Sequence, residues 1–363
     1  MNDEKLNNLP FKTGKDFIHG DEAVARGAIL ANCKFYGGYP ITPASEVMEQ
    51  LSYYLPKVGG DSVQMEDELG SIAAAIGASW GGRKAMTATS GPGFSLMQEN
   101  LGYAVMTETP LVVANVQRGG PSTGQPTLPA QGDIMQAKWG THGDHPIIAL
   151  SPTSVQETIE MTVKSFNLAE KYMNPVVLLL DAEMGHMREN VETPEEVDIV
   201  PRNDEMPVFN QGNRRHITGL VSDEDGFPQT SDIELGRNNI KELYNKIEDN
   251  KKEIIDYEEY QVEDADKILI SYGTSARSAK HAVEMGREQG LKIGAFILKT
   301  VWPFPYERLR EIEAQEFITV EMNLGQIYHA VRETHPQRTE KFTSIGGVIP
   351  DPRKIIQKVK EGK

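Results

Sequence analysis

The 363-residue chain has a single cysteine, Cys33. No disulfide can form within it, and no cysteine-ligated metal or iron–sulfur centre can be built from it alone. Cys33 closes the run Ala-Ile-Leu-Ala-Asn-Cys and reads as a small buried hydrophobe. Positive charge is also scarce: 37 Lys and Arg stand against 53 Asp and Glu, a net charge of −16. Such a balance offers no basic face for nucleic acid and disfavours anionic membranes. Long apolar runs are missing as well. The longest strongly apolar one, residues 175–180, is far too short to span a bilayer. The N-terminal Met-Asn-Asp-Glu-Lys is polar and has no secretory core, so a cytoplasmic location is expected. There is no Walker A sequence. Gly91-Pro-Gly93 opens like a dinucleotide fingerprint, but Leu96 stands where its third glycine is required.

What the chain does contain is α/β rhythm. Its length suggests two or three domains. Over residues 1–192, helical patterns (21–32, 45–54, 68–80, 96–106, 155–172) alternate with short apolar strands (35–39, 63–65, 84–89, 111–116, 176–180). That alternation predicts a parallel sheet covered by helices on both faces. Residues 193–265 are polar and acidic, with turn signals at Gly212-Asn213 and Asp225-Gly226 and one amphipathic helix expected over 233–255. They read as a connecting segment. A smaller α/β unit follows over 266–363, with strands at 267–272, 292–298 and 317–321 and helices at 276–289 and 306–314.

Four loops fall at predicted strand ends: 37–43 (Gly-Gly-Tyr-Pro-Ile-Thr-Pro), 66–68 (Glu-Asp-Glu), 90–93 (Ser-Gly-Pro-Gly) and 117–125 (Gln-Arg-Gly-Gly-Pro-Ser-Thr-Gly-Gln). In an open parallel sheet, ligands sit beyond the carboxyl ends of the strands. Taken alone, Glu68 at a helix start is an ordinary dipole partner. Glu66 and Asp67 beside it look solvated. Arg118, just past a buried strand, suits either bidentate capture of a carboxylate or a surface ion pair. Thr42, held between two prolines, could donate to a ligand or simply close a turn. His142, Asp144 and His145 match no zinc spacing, which favours a plain loop near the substrate or a subunit interface.

Together, Gly-Tyr-Pro-Ile-Thr-Pro (38–43), Gln-Met-Glu-Asp-Glu-Leu (64–69), Thr-Ala-Thr-Ser-Gly-Pro-Gly (87–93) and Asn-Val-Gln-Arg-Gly-Gly-Pro-Ser-Thr-Gly (115–124) resemble the α subunits of 2-oxoacid:ferredoxin oxidoreductases. The resemblance covers 15–190 and resumes over 265–330. Its finer features, Gln-Arg-Gly-Gly-Pro-Ser-Thr-Gly-Gln-Pro-Thr and His216-Ile-Thr-Gly, are most similar to the 2-oxoglutarate enzymes. It implies a thiamine-diphosphate-binding-like domain of the pyrimidine type, followed by a transketolase C-terminal-like domain. It also implies CoA-dependent oxidative decarboxylation of 2-oxoglutarate to succinyl-CoA with reduction of ferredoxin, or the reverse. The pyrimidine-facing glutamate of the family corresponds to Glu68, which would exchange a proton with the ring. Tyr39, Pro40, Ile41, Ser90 and Gly91 would contact the cofactor. Thr42 and Arg118 would hold the 2-oxo acid, with Ser122 and Thr123 as candidates for its distal carboxylate. A β subunit would carry the diphosphate, Mg2+ and a [4Fe-4S] cluster, with γ and δ subunits as further partners. The missing Gly-Asp-Gly diphosphate signature and the lone cysteine agree with that division, and no metal ligand is expected here. The branched-chain 2-oxoacid (2-oxoisovalerate) and pyruvate enzymes are neighbouring alternatives. A non-catalytic scaffold for a thiamine-dependent β chain is one of a different kind.

Overall fold

The computed structural model describes residues 9–202 and 216–361. The N-terminal pentapeptide and the Gly212-Asn213 turn signal lie outside them. In chain order, the first unit comprises β1 (Gly14–His19), α1 (Gly20–Leu30), β2 (Phe35–Gly38), α2 (Ser45–Tyr54), β3 (Asp61–Gln64), α3 (Glu68–Trp80), β4 (Ala85–Thr89), α4 (Pro92–Met106), β5 (Val112–Gly119), β6 (Gln125–Pro129), α5 (Ile134–Trp139), β7 (Ile148–Leu150), α6 (Val155–Tyr172), β8 (Val176–Asp181), α7 (Ala182–His186) and β9 (Arg188–Thr193). Then come α8 (Ile233–Glu248), α9 (Lys251–Ile254), β10 (Tyr257–Tyr260), β11 (Lys267–Tyr272), α10 (Gly273–Glu288), β12 (Ile293–Leu298), β13 (Thr300–Trp302), α11 (Tyr306–Glu311), β14 (Glu316–Glu321), α12 (Gln326–Thr334), β15 (Thr339–Thr343) and α13 (Pro352–Glu361).

The main sheet runs β13-β7-β8-β5-β4-β2-β3, parallel from β7 to β3. Both of its faces are covered, and the strands show it. In β5, Val112, Ala114 and Val116 enter one core with α1, α2 and α6, while Val113 enters another with α3 and α4. In β8, Val176, Leu178 and Leu180 alternate with Val177 and Leu179 in the same way. Successive side chains on a strand point to opposite faces, so a strand buried on both sides must be apolar throughout. The second sheet, β10-β12-β11-β14-β15, packs α10 and α13 against one face. Its other face joins the α3–α4 core of the first unit, through Ile268, Ile270, Tyr272, Phe296 and Leu298.

Several details differ from the sequence expectation. Tyr257–Tyr260, inside the expected connecting segment, is an antiparallel edge strand on β12. Thr300–Trp302 leaves the second unit and pairs antiparallel with β7, closing the first unit's sheet. Helix α4 begins at Pro92 rather than near 96, because Gly91 takes a positive φ and Pro92 supplies a φ already suited to a first helical turn. The single helix expected over 233–255 is broken at Asp249-Asn250, where the Asn250 side chain caps the Lys246 carbonyl at 3.0 Å. Only the C-terminal end of its apolar stripe, Leu243 and Ile247, is buried, while Ile240 is exposed. The Asp225-Gly226 turn is present, with Gly226 at φ +85°. Among the described residues, no helix is long and apolar enough to cross a membrane.

Polar groups fix the two units together where β8 and β11 end. The Gln131 side chain donates to the Tyr272 carbonyl at 3.0 Å and accepts from Ser275 Oγ at 2.7 Å and Met322 N at 3.0 Å. Asp181, fully buried, accepts from Thr274 Oγ1 at 2.8 Å and Thr274 N at 3.3 Å. Burial outweighs these hydrogen bonds and raises its carboxyl to about 6 from an ordinary 3.8. A carboxyl raised in the folded state favours folding fully below its unfolded value, and that contribution disappears as pH rises through about 6. The shift corresponds to about 3 kcal/mol. We therefore expect the unfolding free energy of wild type minus that of Asp181→Asn to fall between about pH 4 and pH 7, by up to this amount. Denaturant titrations of both proteins across that range measure it. A flat difference would show that Asp181 does not titrate in this window.

Candidate active site

The site forms at the carboxyl ends of β2, β4 and β5. Glu68 owes its place to the start of α3. Asp67 is the N-cap, in extended conformation, and its side chain accepts from Gly70 N at 2.7 Å. Asp67 is thus committed to the helix rather than merely solvated, while Glu66 is exposed as expected. The cap fixes the direction of the first turn, and Glu68 points inward with only 5% of its surface exposed. Burial pushes its carboxyl above the usual range. A hydrogen bond to its own backbone opposes this, the Asp67 charge adds to it, and the Arg118 charge opposes it again.

The Ser90-Gly-Pro-Gly93 turn leaves room for that carboxylate. A Cβ at residue 93 would overlap the Glu68 carboxylate and the Thr89 hydroxyl, and would lie 2.6 Å from Glu68 Cδ. Position 93 therefore has to be glycine. For Gly93→Ala we expect a stability loss of about 1–3 kcal/mol from overpacking, and a catalytic loss larger than that penalty alone gives, because Glu68 must be displaced. Denaturant midpoints and turnover of the same preparation separate the two effects. Small residues serve the neighbouring contact too: a Cβ at Gly37 of β2 would sit 2.9 Å from the Ser71 carbonyl of α3.

Arg118, in β5, is 93% buried and binds two loops at once. Its Nη1 donates to the Thr42 carbonyl at 2.6 Å and its Nη2 to the Thr123 carbonyl at 3.1 Å. The Nε has no hydrogen-bond partner among the described residues. Its aliphatic stem lies beside Gly91, where a Cβ would be 3.6 Å from Arg118 Cγ. Glu68, Ser90, Gly91, Thr42, Arg118 and Thr123 are therefore brought together, the two threonines through their backbones. The Thr42 side chain is exposed, as are Tyr39, Pro40, Ser122 and Thr123. Ile41 packs against the α1–α2 core. His142 and Asp144 lie in an exposed loop, and His145 Nδ1 lies 3.1 Å from the Gly143 carbonyl.

Further residues belong here that the sequence did not single out. Asn115 donates to Asp133 Oδ2 at 2.9 Å, and Gln117 accepts from Asp133 N at 3.0 Å. Burial raises the Asp133 carboxyl, against the Asn115 hydrogen bond and the Arg118 charge. A polar residue inside Leu-Val-Val-Ala-Asn-Val was the available signal. The hydroxyls of Thr87, Thr89 and Ser90, together with Asn115 Oδ1, are buried without a hydrogen-bond partner among the described residues. Buried polar atoms are normally paired. This set, with the Gly91–Gly93 cradle and a carboxyl held high, fits a heteroaromatic group with several polar edge atoms.

The fold and the family match together put the chain in a thiamine-diphosphate-binding class. The chain belongs to the family described as pyruvate flavodoxin/ferredoxin oxidoreductase, thiamine-diphosphate-binding, whose model matches residues 26–259. Residues 265–355 match the pyruvate:ferredoxin oxidoreductase core domain II. Within that family the chain is similar to 2-oxoglutarate synthase subunit KorA of Methanocaldococcus jannaschii, 49% identical over 95% of this chain and 99% of the relative. It is 39% identical to ketoisovalerate oxidoreductase subunit VorB of Methanothermobacter thermautotrophicus, over 95% and 97%. A solved 2-oxoglutarate:ferredoxin oxidoreductase from Magnetococcus marinus, with 2-oxoglutarate, coenzyme A and succinyl-CoA bound, superposes with TM-score 0.92 at 36% identity. It covers 96% of this chain, which spans 65% of that longer one.

Proposed function

We propose that this chain is the α subunit of a 2-oxoglutarate:ferredoxin oxidoreductase. Its partner β subunit would carry the diphosphate, Mg2+ and a [4Fe-4S] cluster. The observation that carries the site is Glu68: a buried carboxyl, raised by that burial, facing a cradle of unpaired hydroxyls. The substrate rests on the 49% identity to a 2-oxoglutarate synthase subunit, against 39% to a ketoisovalerate oxidoreductase subunit.

When bound, thiamine diphosphate supplies the electron sink for cleavage next to the 2-oxo carbon. The chain's part is proton handling, orientation and exclusion of water. Glu68, its carboxyl pushed above the ordinary carboxylate range by burial, would face the pyrimidine ring and give and take a proton at its carboxyl oxygen. Ser90 and Thr89 offer hydrogen bonds to the ring's polar edge, and Tyr39, Pro40, Ile41 and Gly91 shape its surroundings. Arg118 places a buried positive charge for the C1 carboxylate. It holds the Thr42 loop so that the Thr42 hydroxyl can meet the 2-oxo group. Ser122 and Thr123, on the exposed turn after β5, are candidates for the distal carboxylate.

Co-expression with a β chain and viologen-reduction assays with CoA and 2-oxoglutarate, pyruvate or 2-oxoisovalerate test the assignment. The fastest turnover is expected with 2-oxoglutarate. A wide margin for the branched substrate would overturn the substrate, and a β chain without cluster-forming cysteines would overturn the electron acceptor.

A further inference from the structure

On the α1–α2 side of the main sheet lies a second cluster that the site above does not use. Asp21 is the second residue of α1 and is completely buried. Among the described residues, neither of its carboxylate oxygens has a hydrogen-bond partner. A carboxylate in a first helical turn ordinarily accepts from a free backbone N–H. Here the capping is done by His19, whose Nδ1 accepts from Glu22 N at 3.3 Å. Asp21 is turned instead into a slot beside α7, where a Cβ on Gly185 would sit 2.7 Å from Asp21 Oδ1. Two further ligand-type side chains close the slot: Glu46, near the start of α2, and His186, the last residue of α7. Their facing atoms, His186 Nε2 and Glu46 Oε2, are 3.7 Å apart. One ligand atom from each of Asp21, Glu46 and His186 lies within 4.8 Å of the others.

A fully buried carboxylate with no donor is costly unless a cation or a proton neutralises it. Among the described residues, no lysine or arginine pairs with Asp21. Burial, and to a lesser degree the like charge of Glu46, drive the Asp21 carboxyl well up. Two carboxylates and one imidazole, by contrast, form a mixed oxygen–nitrogen donor set suited to first-row divalent ions such as Zn2+ and Mn2+. Metal–ligand bonds of about 2.0–2.2 Å would draw the donor atoms to roughly 3.3 Å from one another. Glu46 and His186 are about two-fifths exposed and can swing the remaining distance, while Asp21 is fixed by burial.

We propose that Asp21, Glu46 and His186 bind one first-row divalent cation that joins α1, α2 and α7. Two carboxylate charges would balance the ion, and solvent on the open side would complete its coordination. Such a site departs from the sequence expectation that the chain carries no metal ligand. Glu46 lies four residues after Thr42, so the ion would also pin the start of α2 directly behind the loop that carries Thr42.

The full-length chain, stripped with chelator and desalted, is titrated with Zn2+ in competition with a chromophoric chelator, and with Mn2+ followed by electron paramagnetic resonance. One tight equivalent per chain is expected, together with a metal-dependent rise in melting temperature. Loss of an outer-shell partner alone typically costs metal sites about 10–100-fold in affinity, so Asp21→Asn and Glu46→Gln should each weaken binding at least that much. The control His142→Gln should leave it unchanged. Asp21→Asn keeps the buried shape, and Glu46→Gln lies on the half-open side, so at least one variant stays folded. Three results would each overturn the site: no stoichiometric binding by wild type, unchanged affinity in both variants, or an infrared signature of a protonated Asp21 carboxyl that persists at saturating Zn2+.

Discussion

Glu68→Gln is expected to lower turnover of the assembled enzyme by about 10²- to 10⁴-fold, the range contributed by a positioned acid–base group. Glutamine has nearly the shape of glutamate, so it should still fit against Gly93. It cannot give up or accept a proton at the position of the carboxyl oxygen. Because Asp67, not Glu68, caps α3, the helix start should survive the change. Melting temperature and association with the β chain should therefore stay close to wild type while steady-state viologen reduction collapses. Near-normal turnover would remove Glu68 from its proposed role. The pH dependence offers a second check. Burial raises the Glu68 carboxyl, so the acidic limb of the rate profile should lie above that of an ordinary carboxylate and be lost in the variant.

Arg118→Lys is expected to raise KM for the 2-oxo acid by about 10- to 100-fold, as follows from about 1.5–3 kcal/mol per hydrogen bond to a charged group. The change keeps the charge and removes the fork. Two guanidinium nitrogens already hold the Thr42 and Thr123 carbonyls, and the third, Nε, has no hydrogen-bond partner among the described residues. A single ammonium group cannot serve both loops and a substrate carboxylate in a fixed plane. KM should move more than kcat, because Glu68 and its cradle remain. An unchanged KM would mean that Arg118 only ties loops together.

Much of this architecture was legible from residue order. Apolar strands such as 111–116 and 176–180 can only be central, and Gly-Pro-Gly or Tyr-Pro-Ile-Thr-Pro must end what precedes them. Pairings between distant segments were not legible. Nothing local in Thr300–Trp302 says that it will leave its own unit for β7, and nothing in Gly14–His19 names Arg188–Thr193 as its antiparallel partner. The site divides in the same way. Glu68 and Arg118 sit in marked loops, but Asp133 acquires its surroundings only when β5 and α5 meet. Asp21 was hidden for a related reason: Asp-Glu at a helix start looks ordinary until burial and the missing donors are seen.

The strand that crosses between units has a consequence for how such chains can be recombined. β13 is encoded after the second unit's first two parallel strands, yet it forms the outer edge of the first unit's sheet, and Gln131 in turn is held by Tyr272, Ser275 and Met322. Neither half is a cassette. A chimaera that exchanged the C-terminal portion between two relatives would import a foreign edge strand into the thiamine-binding sheet and mismatch the Gln131 lock. Keeping residues 300–302 with the first unit would preserve the edge strand, and Tyr272, Ser275 and Met322 would have to be kept with them to preserve the Gln131 lock.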